Sequence, residues 1–254
     1  MDTASANTTF ATALAAAHIA RFPAVEAAGV LPATMAEAME VQAAVAAALG
    51  AEVAGWKVGY TPDGTPFAAP LYAGYMETSG ACLPLRQGGV WGVEPEIAVR
   101  LGRDLPPRPG QPYSRAEIMD AIAAVLAGIE IVGSRIIDHG AAPFPVRIAD
   151  NFMNAAYVAG AELADWRHLD LTALRATLSL GGKVAHDAVG GHPNGDPLKP
   201  LQDYANAQCD RLGGLKAGQI VTTGSLCGLV PVPGAVETVA AIEGIGEARL
   251  RFEA

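Results

Sequence analysis

The run Val93-Glu94-Pro95-Glu96-Ile97-Ala98-Val99 is the one place in the chain where two carboxylates sit inside an otherwise apolar, strand-like stretch. Strand alternation puts Val93, Pro95, Ile97 and Val99 on one face and Glu94, Glu96 and Ala98 on the other. At about 3.3 Å rise per residue the two glutamate Cα atoms stand roughly 6.6 Å apart, near enough to reach one ion and too near for both to ionise cheaply without a cation. A hard divalent metal, Mg2+ or Mn2+, resolves that repulsion. An edge strand showing two glutamates to water fits the same spacing, so other parts of the chain must separate the two readings.

Working outward, the next buried acid is in Ile129-Glu130-Ile131-Val132, one glutamate among branched residues. An isolated ionised carboxylate there is costly, so Glu130 needs a cation, a partner or a proton. A metal shared with Glu94 and Glu96 supplies the first. Upstream, Gly55-Trp56-Lys57-Val58-Gly59-Tyr60 places Trp56, Val58 and Tyr60 on one face and Lys57 on the other, between two glycines that clear space above the sheet. Partial desolvation lowers a lysine's pKa and suits it to shuttle protons or bind a carboxylate. Downstream, Thr222-Thr223-Gly224-Ser225 is a strand running into a turn whose bare amides can receive an anionic group.

The remaining chain supplies scaffold. Thr8 to Ala20 is alanine-rich and helical in pattern, Phe22-Pro23 breaks it, and Thr34-Met35-Ala36-Glu37 is a capping box opening a second helix that Gly50 stops. Met39, Ala43 and Ala47 form its apolar stripe, and Glu37 or Glu40 has a lid or a capping role. Ser114-Arg115-Ala116-Glu117 is a second capping box, predicting a helix to about Ala124. Gly181-Gly182 marks a hairpin, and Leu201 to Leu212 reads as a helix. Residues 190–197 are a loop with two glycine pivots, and the five histidines form no metal-spaced pair.

The chain has 254 residues, with a net charge of -9 and 17% charged residues against roughly 25% in ordinary soluble proteins. An acidic chain without a basic cluster argues against nucleic acid and for small molecules. The low surface charge suggests area hidden in an oligomer. Cys82, Cys209 and Cys227 are scattered and odd in number, so no disulfide framework or zinc site is expected. No basic residue precedes the early apolar run and no other run approaches a membrane span, which predicts a cytoplasmic protein without a membrane partner.

Taken together, Gly55 to Thr61, Glu94-Pro95-Glu96, Glu130-Ile131-Val132 with Ser134-Arg135, Ala149-Asp150-Asn151, and Leu215-Lys216-Ala217-Gly218 through Ser225 come in one family's order and spacing. The chain resembles the 2-keto-4-pentenoate hydratase and 4-oxalocrotonate decarboxylase group of the fumarylacetoacetate hydrolase superfamily, from about Leu31 to Phe252. The resemblance implies an α+β fold, with mixed β-sheets rolled around the active site. It also implies a single domain over 1–254, made of a helical N-terminal segment (1–50) and a β-rich catalytic core (51–254). It assigns Glu94, Glu96 and Glu130 to Mg2+ (or Mn2+), Lys57 and Glu77 to catalysis, and Asp150, Gly224 and Ser225 to substrate binding. The implied partners are a 2-oxo acid substrate, further copies of the chain in a homo-oligomer, and, as an option, a related pathway enzyme.

Two departures stand out. Glu77 occupies a place where such sequences usually carry Asp, and Phe152-Met153-Asn154 is bulkier than the small residues that often follow Ala-Asp-Asn. The expected activity is hydration of 2-hydroxy-2,4-dienoates to 4-hydroxy-2-oxo acids in aromatic-compound degradation. The alternatives are decarboxylation of an oxalocrotonate-like diacid, which passes through the same dienolate, carbon-carbon hydrolysis of acylpyruvates, and an inactive partner subunit. Hydrolysis in relatives resembles a histidine-glutamate design, and here no histidine lies between Lys57 and Glu130, leaving His18 of the N-terminal segment as its source.

Overall fold

The computed structural model describes residues 3–20, 25, 26, 29, 31–85 and 92–254, with side chains from residue 7 onward. The Phe22-Pro23 break lies outside the described residues. Two helices come first, α1 (Thr3–Ala20) and α2 (Met35–Leu49). They are followed by β1 (Val53–Tyr60), β2 (Pro66–Tyr72), β3 (Met76–Thr78), β4 (Ala81–Pro84), β5 (Gly92–Leu101), α3 (Arg115–Ala121) and β6 (Ile122–Val132). The second half holds α4 (Phe144–Ala149), β7 (Asn154–Ala159), β8 (Arg175–Leu180), β9 (Lys183–Val189), α5 (Lys199–Asn206), β10 (Ile220–Ser225), β11 (Val230–Pro231), β12 (Glu237–Ile242) and β13 (Gly246–Glu253).

The strands form two mixed sheets. The larger runs β2-β1-β10-β5-β6-β7-β3, with β11 on the end of β5, and the smaller runs β4-β13-β12-β8-β9. Pairs β1/β10 and β3/β7 in the first and β4/β13 in the second are parallel; the other pairs are antiparallel. The sheets pack through Val93, Ile129, Ile131 and Val158 on one side and Leu178, Ala240, Leu250 and Phe252 on the other. A second apolar cluster joins Trp56, Val58, Ile97 and Val99 to α3 and α5 through Ile118, Leu201 and Tyr204. The N-terminal helices pack with α4 over Phe67. No helix among the described residues is long and apolar enough to cross a membrane.

Both capping boxes form as the sequence predicts: Thr34 accepts from the Glu37 amide and Ser114 from the Glu117 amide, with each glutamate reaching back. Glu37 is thereby a cap. The buried face of α2 is Ala38, Met39, Val41, Gln42, Val45 and Ala46, rotated from the expected stripe because Gln42 turns inward to donate to the Ile148 carbonyl at 2.6 Å. The helix expected to reach Ala124 ends at Ala121, since Ala124 to Val132 is taken up by cross-strand pairing with β5. Likewise α5 stops at Asn206, whose side chain accepts from the Tyr113 amide at 2.6 Å and leaves the helix to do so. The Gly181-Gly182 hairpin is present, with both glycines at positive φ (56° and 76°).

Candidate active site

Register builds the site. On β5, Glu94 and Glu96 are two residues apart and share a face; on β6, Glu130 lies directly opposite Glu94. Like charges directly opposite in an antiparallel pair destabilise a sheet, so this face carries an electrostatic load that its neighbours must balance. One carboxylate oxygen from each of Glu94, Glu96 and Glu130 lies within 4.8 Å of the others. Glu96 and Glu130 are fully buried.

Lys57 reaches this cluster from β1, its Nζ 2.7 Å from Glu130 Oε1. Asn154 Nδ2 donates to the same oxygen at 3.2 Å, and Thr222 Oγ1 donates to Glu96 Oε2. Glu96 Oε1 is buried with no hydrogen-bond partner. Burial pushes the Glu94 carboxyl up to about 7, helped by the charge of Glu130 and opposed by Lys57. Burial raises Glu96 well above the usual carboxylate range, again with Glu130 adding to it. For Lys57, burial pulls the pKa down, but the charges of Glu130, Glu94 and Glu96 outweigh it and the net direction is up. The lowered value expected from desolvation alone is therefore corrected: without a cation, three carboxylates hold this lysine as an ammonium.

The cluster opens on a cavity of about 440 Å³ whose walls include Lys57, Glu94, Phe67, Phe152, Gly224 and Ser225. Gly59 also lines it, as the sequence suggests; Gly55 does not, and its missing side chain instead lets β1 approach β10, where a Cβ would lie 2.2 Å from the Ile220 carbonyl oxygen. Gly224 has φ 134° and Ser225 Oγ donates within its own turn to the Gly228 carbonyl at 3.2 Å. The loop over this turn is tied down by His192. Its Nδ1 accepts from the Asn194 amide at 3.2 Å, which leaves the proton on Nε2 to donate to the Thr223 carbonyl at 3.1 Å.

Two expected site residues are placed elsewhere. Glu77 pairs with Val158, which is in line with Ile129 and Pro95, so its register position is on the face opposite Glu94 and Glu130. It borders a different cavity, with Arg100 and Lys216. Asp150 is fully buried and accepts from Ser134 Oγ at 2.7 Å and the Arg135 amide at 3.0 Å, besides pairing with the Arg135 guanidinium. These bonds occupy the carboxylate that was expected to meet substrate, and Asp150 does not line the cavity.

Sequence reasoning also missed Thr222, Asn154, His192 and Tyr157. Tyr157 pairs opposite Glu130 and lies over Gly128, where a Cβ would meet its hydroxyl at 1.8 Å. A buried glycine in an apolar strand was the available signal: it marks a side chain crossing from the next strand. His18, the remaining source of a histidine, is buried against Tyr72 and Tyr75.

Residues 61–253 match the family model described as fumarylacetoacetate (FAA) hydrolase C-terminal. The chain belongs to the fumarylacetoacetate hydrolase family. Among relatives of this family member, a 2-keto-4-pentenoate hydratase of Burkholderia vietnamiensis is 34% identical over 212 residues, covering 80% of this chain and 79% of the other. A 2-keto-4-pentenoate hydratase of Paraburkholderia phymatum is 35% identical over 215 residues, covering 81% and 80%. The structure of 4-oxalocrotonate decarboxylase from Pseudomonas putida, complexed with magnesium and adipate, superposes with a TM-score of 0.86 at 22% identity, covering 100% of this chain and 99% of the other. At that identity the likeness establishes the shared fold.

Proposed function

We propose that this chain is a hydro-lyase that, with a divalent cation, adds water to 2-hydroxy-2,4-dienoates to give 4-hydroxy-2-oxo acids. The observation that carries the reading is the convergence of Glu94, Glu96 and Glu130 beside buried Lys57, with Glu94, Glu96 and Lys57 on the wall of one cavity. The naming of its relatives as 2-keto-4-pentenoate hydratases supports the reaction class. The donor set fits a hard cation: three carboxylates, one of them with an unpartnered buried oxygen on Glu96. Glu94, Glu96 and Glu130 would hold Mg2+ or Mn2+, which supplies Lewis-acid stabilisation of enolate charge on a 2-oxo acid.

The chain's own groups do the rest. Lys57, whose Nζ lies 2.7 Å from Glu130 on the cavity wall, is placed to offer a proton and to pair with negative charge on the substrate. Asn154 and Lys57 together fix Glu130, while Thr222 fixes Glu96. Gly224 and Ser225, on the cavity wall, are placed to meet the substrate carboxylate. Phe67 and Phe152 place apolar surface on the cavity wall beside Lys57. Decarboxylation of an oxalocrotonate-like diacid shares the dienolate and stands as the second reading, motivated by the full-length fold likeness to a decarboxylase.

The test is incubation of the purified protein with 2-hydroxypenta-2,4-dienoate and Mg2+, followed by product analysis. The expected product is 4-hydroxy-2-oxopentanoate, formed only with the metal present. Failure to hydrate it, with CO2 released instead from 2-oxohex-3-enedioate, would favour the second reading.

A further inference from the structure

The departure at Phe152 carries an inference beyond the reaction itself, resting on the proposed cation site. Asn151, Phe152 and Met153 have φ of 51°, 47° and 63°, three successive non-glycine residues in the left-handed region. Such a segment persists only when its surroundings impose it. Here Arg135 does so: its guanidinium donates to the Asp150 and Asn154 carbonyls, both at 2.6 Å, on either side of the segment. Within that bracket the Gly133 amide donates to the Met153 carbonyl at 2.8 Å.

The result of this conformation is the position of one ring. Phe152 stands edge-to-face with Phe67 at 4.9 Å between centroids, and Lys57 Nζ is 4.8 Å from its centroid. Phe144 backs it at 5.6 Å. Among the described residues lining the cavity, Lys57 is the sole cation, and it is already committed to Glu130. A divalent ion and Lys57 together just balance Glu94, Glu96 and Glu130, so no net positive charge remains for an anionic group beyond the one the cation itself would hold.

We infer that Phe152 is a specificity-determining residue that restricts the cavity to 2-oxo acids with one carboxylate and an uncharged tail. A second carboxylate would lose its hydration against the Phe67 and Phe152 rings without gaining a cation. An uncharged, unsaturated tail meets apolar surface there and is favoured by it.

The experiment compares equilibrium binding of 2-oxopentanoate and 2-oxohexanedioate by calorimetry, with Mg2+, in the wild type, Phe152→Gly and Phe152→Arg. Glycine adopts the left-handed conformation without strain, so Phe152→Gly removes the ring without straining the segment, and circular dichroism checks that the fold survives the lost packing against Phe67 and Phe144. The wild type is expected to bind the monocarboxylate about tenfold or more tightly than the diacid, Phe152→Gly to narrow the ratio to within about threefold, and Phe152→Arg to invert it. Equal or tighter binding of the diacid by the wild type, or an unchanged ratio in Phe152→Gly, overturns the assignment, as does absence of binding of either acid. The expected ratios without turnover of 2-hydroxypenta-2,4-dienoate would instead reject the hydratase reading and leave the selectivity standing.

Discussion

The two faces of β5 and β6 are made by alternate residues of the same strands, yet they solve opposite problems. Val93, Ile129 and Ile131 face the smaller sheet and share its apolar core. Glu94, Glu96 and Glu130, one residue out of step, put one half-buried and two buried carboxylates at one point. Burial stabilises the first set and penalises the second. A face that packs needs nothing further, whereas the carboxylate face needs Lys57, Thr222, Asn154 and a cation to be tolerable. A period-2 pattern with acids on its buried side is thus a stronger sign of function than the acids alone.

Breaking the carboxylate face has the largest expected effect. Glu130→Gln should lower turnover by about 10³-fold or more while leaving the fold intact, because it removes a donor to the cation without changing shape. Steady-state rates at saturating Mg2+ and circular dichroism measure both halves, and near-normal turnover would remove Glu130 from the site. Lys57→Ala should reduce the rate by about 10²-fold, the size of a positioned proton donor's contribution. If the loss were confined to KM, Lys57 would be a binding group only.

The packed face should respond in stability rather than rate. Ile129→Ala is expected to cost about 2–4 kcal/mol in denaturant unfolding, with kcat per folded molecule little changed. A fall in kcat at unchanged stability would mean the two faces are not independent.

Metal removal separates the faces by pH. In the metal-free protein the Glu94 carboxyl titrates near 7 instead of its ordinary 4.5, so between those values the folded chain binds more protons than the unfolded chain. Metal-free stability therefore falls as pH rises from 4.5 through 7, and Glu96, also raised by burial, adds to that fall. Thermal unfolding with EDTA should give a lower Tm at pH 8 than at pH 5.5 from this group, and the increment from Mg2+ should be larger at pH 8. An increment larger at pH 5.5 would contradict the site's electrostatics. The smallest effect belongs to Glu77→Gln, expected to change stability by no more than about 0.5 kcal/mol and turnover hardly at all, since its register position is on the far face. A rate loss of tenfold would bring Glu77 back into the chemistry.

Much of this contrast was legible in the sequence because alternation is a local property. The spacing of Glu94 and Glu96, the isolation of Glu130 and the glycine beside Lys57 each carried their meaning within a few residues. What was not legible depends on pairing between distant strands. Thr222 meets Glu96, and Tyr157 meets Gly128, only through the order β10-β5-β6-β7. Asp150 looked like a site residue by position, but its partner Arg135 takes it out of the cavity. The direction of the Lys57 shift was likewise hidden, since it turns on three carboxylates gathered from two other strands. Element ends moved for the same reason: β6 claimed the residues that a helical pattern would have given to α3.

The central claim is that Glu94, Glu96 and Glu130 form one divalent-cation site. Its most direct test is Mn2+ binding followed by electron paramagnetic resonance in the wild type and in Glu94→Gln, Glu96→Gln and Glu130→Gln. The expected result is one tightly bound Mn2+ per chain, displaced by Mg2+ and weakened by each substitution; Mn2+ binding that is absent in the wild type, or unchanged in all three variants, would contradict it.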